Sequence, residues 1–70
     1  MRILASYDDA FKKALEIKRK NKNAFIEKPR KTSFGFPNGT SLELNVIEVY
    51  YESYDPVDGW VDNMAQIFYK

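Results

Sequence analysis

Seventy residues with neither cysteine nor histidine and a formal net charge of +1 allow one small domain, residues 1–70, and no more. They exclude disulfide staples and thiol or imidazole catalysis, and they leave only carboxylates for a metal site. So small a chain buries a reduced share of its surface. Its stability must come from dense packing or self-association, and a 16% aromatic content suits both.

In chain order, residues 2–5 predict a short strand. Ser6 then reads as a helix N-cap, with Asp8 and Asp9 in the first turn, where carboxylates meet unpaired N–H groups and the positive end of the helix dipole. Tyr7, Ala10, Phe11, Ala14, Leu15 and Ile17 recur at helical spacing and predict a helix from Tyr7 to Lys20 or Lys22. Lys18, Arg19, Lys20 and Lys22 suit its C-terminal end, and Asn21 or Asn23 can supply a left-handed stop. Asp9–Lys13, Lys12–Glu16 and Glu16–Lys20 stand at i,i+4 and are expected to interlace the outer face. Lys18 falls near the centre of the apolar stripe, so either the helix has ended there or its stem lies along the core.

Ala24–Glu27 and Lys31–Phe36 predict two short strands, and Pro37-Asn38-Gly39 predicts a turn. Ser41–Ser53 is the longest expected strand. Its apolar residues alternate as Leu42, Leu44, Val46 and then, in the opposite phase, as Ile47, Val49, Tyr51. Such a slip implies either a bulge or a strand covered on different faces along its length. Asp55–Gly59 is a second turn. Residues 60–70 fit both periods, and their aromatic content after a hairpin-like turn favours a strand. The expected fold is α+β, with one N-terminal helix packed on a three- to four-stranded, mainly antiparallel β-sheet.

Charge is segregated along the chain. Residues 12–31 carry nine basic residues against Glu16 and Glu27, whereas residues 40–70 carry six acids against Lys70. The start of the chain lacks the apolar run of a signal peptide, and no segment has membrane-spanning length, so a cytoplasmic protein without membrane association is expected.

No nucleophile–base pair and no glycine-rich phosphate loop is present, and Asp55, Asp58 and Asp62 read as turn and cap residues. The expectation is a non-enzymatic protein that needs no cofactor or metal. The leading reading is a small inhibitor or adaptor that binds another protein through Tyr50, Tyr51, Tyr54 and Trp60, with Glu48, Glu52 and Asp55 as electrostatic guides. A second reading is a nucleic-acid-binding module. Basic segment 18–31 and its neighbour would contribute Lys18, Arg19, Lys22, Lys28, Arg30 and Lys31 for phosphates, with Phe34 or Phe36 for stacking. Phe34-Gly35-Phe36 is similar to the aromatic core of the RNP1 strand of RNA-recognition modules. However, Ser33 replaces the preceding glycine and Pro37 follows, so no family is assigned. Phe34 and Phe36 read first as core residues. A third reading is a self-assembling structural subunit, and a homo-oligomer fits the composition.

Overall fold

A computed structural model describes residues 2–70. The elements are β1 (Ile3–Leu4), α1 (Tyr7–Lys20), β2 (Lys22–Ile26), β3 (Arg30–Gly35), β4 (Ser41–Asp55) and β5 (Gly59–Tyr69). Strand β4 organises them all. It pairs antiparallel with β5 from Asn45–Tyr69 to Asp55–Gly59 without a register shift. Its other edge is shared end to end by β3, from Gly35–Ser41 to Arg30–Val46, and by β2, from Ile26–Val49 to Lys22–Glu52. Strand β1 lies parallel to β5, with Ile3 beside Phe68 and Leu4 beside Tyr69. The α+β class and the single helix hold. The sheet, however, has five strands and is mixed rather than antiparallel, because β1 joins its edge in the direction of β5.

Helix α1 begins where its cap predicts: Ser6 Oγ accepts from the Asp9 N–H at 3.3 Å. Ala10 and Ala14 are fully buried, and their small side chains let the helix sit close over Ile47, Val49, Ile67 and Tyr69. Leu4, Phe11, Ile17, Ala24 and Ile26 close the rim of this core. Each fully buried Ile or Val contributes about 1.5–3 kcal/mol. The helix ends at Lys20, within the expected bounds, but without the left-handed stop directly after it. Asn21 stays extended, and its side-chain amide donates to the Ile17 carbonyl at 2.7 Å. Asn23 takes the positive φ, at 52°, inside β2, where the register with β4 shifts between Lys22 and Phe25. Lys18 is exposed. Of the helical ion pairs, the one formed among the described residues is Lys13–Glu16 at 3.8 Å, one residue closer in sequence than the expected pairs.

No bulge interrupts β4 at Val46–Ile47. The slip in apolar phase marks a strand buried on both faces, since Val46 and Ile47 are each buried and point in opposite directions. Both hairpin turns follow their chemistry. Asn38 Oδ1 accepts from the Thr40 N–H at 3.1 Å, and Gly39 takes φ +87°. Asp55 Oδ1 accepts from the N–H groups of Val57 and Asp58 at 2.7 and 3.2 Å, and Gly59 takes φ +78°.

The core under α1 is confined to one end of the long β4–β5 ladder, and the other end projects beyond it. The molecule therefore measures 43 × 27 × 17 Å, with a radius of gyration of 14.2 Å. A compact chain of this length would have a radius of about 11 Å.

Candidate binding face

Side chains alternate across a sheet, so the face opposite α1 carries the even-numbered residues of β4 and β5. Among the described residues no element covers it, and it divides into three zones.

The first zone lies where β3 pairs with β4. Phe34 of β3 and Phe68 of β5 flank β4, and their rings meet edge to face at 5.4 Å. They are in register with Leu42 and Val46, so the rings pass over Leu44, which lies between. Leu44 and Val46 are consequently buried without a helix above them. The reading of Phe34 as a packed residue stands, within this second small cluster. Phe36 lies beyond the end of β3 and is exposed, contrary to the core placement expected for it.

The second zone is polar. Glu48 lies inside this face, its side chain only 11% exposed. Its carboxylate accepts from Arg30 Nε at 3.2 Å and from Gln66 Nε2 at 3.1 Å. The hydrogen bond from Arg30 and then that from Gln66 hold its pKa below the ordinary carboxylate value, outweighing the upward push of burial. Glu48 is thus an internal anchor, not a free electrostatic guide. Arg30 is committed to it.

The third zone occupies the projecting end. Phe25 stacks on Tyr50 at 5.3 Å, and Met64 stands opposite Tyr50 on β5. Tyr54 and Trp60 meet edge to face at 5.6 Å, and Lys22 Nζ lies 4.6 Å from the centre of the Trp60 ring, within cation–π range. Between the two aromatic rows runs a charged row, Lys22, Glu52 and Asp62, aligned across three strands. Exposure is high: 65% for Tyr54, 54% for Trp60, 53% for Phe25 and 44% for Met64.

Of the residues expected to bind protein, the fold brings together Tyr50, Glu52, Tyr54 and Trp60. Tyr51 points to the helix side, and Asp55 is held in its turn. Phe25 and Met64 join the cluster without having been anticipated, and the signal that finds them is their register opposite Tyr50. The basic residues are not gathered into one site. Lys18 and Arg19 are on the helix, whereas Lys22 and Arg30 reach the opposite face of the sheet. Lys28 and Lys31 are exposed.

A separate groove of about 620 Å³ runs between α1, β1 and β5. Leu4, Leu15 and Ile67 contribute its apolar lining, while Arg2, Lys12, Lys13 and Arg19 contribute positive charge and Asp9 and Glu16 negative charge.

No family model matches the chain, and no curated protein or solved structure matches it either. Among the described residues, no helix is long and apolar enough to cross a membrane.

Proposed function

We infer that this is a small cytoplasmic binding protein, of inhibitor or adaptor type, acting on another protein through the bare end of its sheet. The observation that carries this reading is the exposed cluster of Phe25, Tyr54, Trp60 and Met64 on a face that the helix does not cover. Aromatic residues and methionine are enriched at interface cores, and large rings there carry a disproportionate share of binding energy. The row formed by Lys22, Glu52 and Asp62 offers charges of both signs beside those rings, which favours a partner with a mixed rather than a uniformly basic surface. The dispersal of the cations over both faces of the sheet argues against a single phosphate-tracking surface.

The test is photocrosslinking from position 60 in native host cells, followed by affinity measurement with the captured partner. Trp60→Ala and Tyr54→Ala are expected to weaken that affinity by about 2 kcal/mol or more each while leaving the melting temperature near that of the parent. Lys18→Ala with Arg19→Ala is expected to change neither. Crosslinking to nucleic acid instead, with an affinity that falls steeply with salt, would overturn the reading.

A further inference from the structure

The sheet has a free border on each side, and the two are not alike. On the β2–β3 side, an irregularity at Asn23 breaks the register of β2. Pro29 separates the two strands, and Lys22, Arg30 and Lys31 stand along them. Bulges, prolines and lysines of this kind discourage pairing with another chain. The outer border of β5 carries none of them over much of its length. Strand β1 covers it only at Phe68 and Tyr69, and Arg2 lies one place further back, level with Ile67. From Trp60 to Met64, among the described residues, no strand pairs with that side. This stretch holds no proline, no lysine and no register shift.

The Lys70 N–H donates to the Leu4 carbonyl at 3.1 Å, toward β1. N–H direction alternates along a regular strand, so Trp60, Asp62 and Met64 turn their N–H and C=O groups to the open side. The same residues place their side chains on the face opposite α1, and all are exposed. An added strand there meets unpaired backbone groups and, beside them, an indole, a carboxylate and a thioether.

The charge pattern selects what such a strand carries. Across the sheet Lys22 stands opposite Glu52, and Glu52 opposite Asp62. Among the described residues neither carboxylate joins an ion pair, and the Lys22 ammonium lies over the Trp60 ring. Like charges directly opposite each other destabilise a sheet, whereas opposite charges stabilise it. A cation on a further strand, opposite Asp62, completes the row.

We propose, building on the protein-binding reading above, that the partner supplies an extended segment that adds antiparallel to β5 from Trp60 to Met64, extending the five-stranded sheet. The segment carries Lys or Arg opposite Asp62. Two places to either side it carries apolar residues, opposite Met64 and Trp60. Each of those residues exchanges backbone hydrogen bonds with its opposite number on β5. Main-chain bonds then supply affinity and the alternate side chains supply specificity. The segment ends short of Ile67, so β1 keeps its place. It lies at the end of the sheet that projects beyond the helix, and its apolar side chains extend the row that contains Phe25, Tyr50 and Met64.

Trp60 is the one tryptophan of the chain, so its fluorescence reports on this border directly. The probe is the capped synthetic peptide Ser-Ile-Thr-Lys-Thr-Val-Ser, titrated into the full chain. Its addition should shift the Trp60 emission and saturate. N-methylation at the lysine, whose N–H faces the Asp62 carbonyl, should weaken binding on the order of tenfold. N-methylation at either threonine, whose N–H faces away from β5, should leave binding nearly unchanged. Replacing the lysine by glutamate should also weaken it. Asp62→Lys should reverse that preference while keeping the circular dichroism of the parent. The proposal is overturned by the absence of saturable binding, by equal effects of methylation at lysine and threonine, or by a folded Asp62→Lys variant that still prefers the lysine peptide. If position 60 nevertheless crosslinks to a host protein, the aromatic face binds by side chains alone and the protein-binding reading survives. If no protein is captured there, both fall.

Discussion

Replacing Glu48 by glutamine keeps the shape of the side chain and removes its charge. The carboxylate accepts from two donors at 3.2 and 3.1 Å, whereas an amide has only one oxygen to offer and turns an N–H toward the other donor. Hydrogen bonds to charged groups contribute about 1.5–3 kcal/mol each in favourable settings. The side chain of Arg30 is 55% exposed, so water takes over part of what it loses. The expected cost is therefore about 1–2 kcal/mol at neutral pH, which for a domain of this size lowers the melting temperature by roughly 4–16 °C. The cost should depend on pH. Glu48 has a folded pKa below its ordinary value of 4.5, so its contribution is complete above 4.5 and is lost as the pH falls through the folded value. Thermal melts of the parent and Glu48→Gln, followed by circular dichroism from neutral pH into acid, should show a gap that is constant at first and closes below 4.5. A second arm, combining Glu48→Gln with Arg30→Met, should yield a coupling energy of at least about 0.5 kcal/mol. A variant that melts with the parent at neutral pH, or a gap that persists unchanged into acid, would refute the assignment of Glu48 as an anchored carboxylate.

Ile47→Ala opens a cavity beneath Ala10 and Ala14 and should cost about 2–5 kcal/mol, a large fraction of the roughly 3.5–10 kcal/mol expected for the whole domain; urea denaturation measures it. Gly59→Ala meets no neighbouring atom but forces an L-residue to φ +78°. It should cost about 1–2 kcal/mol, read as a lower urea midpoint with an unchanged slope.

The helix was legible because several signals agree: a serine cap, two aspartates in the first turn and an apolar stripe at the right period. The turns were legible because Pro-Asn-Gly and Asp-Pro-Val-Asp-Gly each combine a fixed φ, a side-chain acceptor and a residue free to take positive φ. The two apolar phases of β4 were visible as a pattern. Choosing between a bulge and two-sided burial required knowing that Phe34 and Phe68 meet above it. Strand β1 could be seen as a short extended segment but not as a parallel one, since two residues carry no period and their partners lie near the other end of the chain. For the candidate site, Tyr50, Tyr54 and Trp60 were identifiable from chemistry. Phe25 was not, because the irregularity at Asn23 shifts the phase that would have assigned its face. Glu48 looked like one acid among several along a strand, and its role depends on an arginine brought from β3.

The pairing of Ile3 with Phe68 also bears on the order in which the chain assembles. The β4–β5 hairpin closes across a short turn, so its ladder can form by local zipping, and β3 and then β2 can add to β4 through short connections. Closing β1 onto β5 instead spans nearly the entire chain and carries the largest loop entropy of any strand pairing in the molecule, for only two paired residues. Strand β1 is therefore expected to dock last and to be the first element to fray. Amide exchange at Leu4 and Lys70 would accordingly run ahead of that in the β4–β5 ladder, giving the sheet a loose latch at one border and a slow-exchanging spine at its centre.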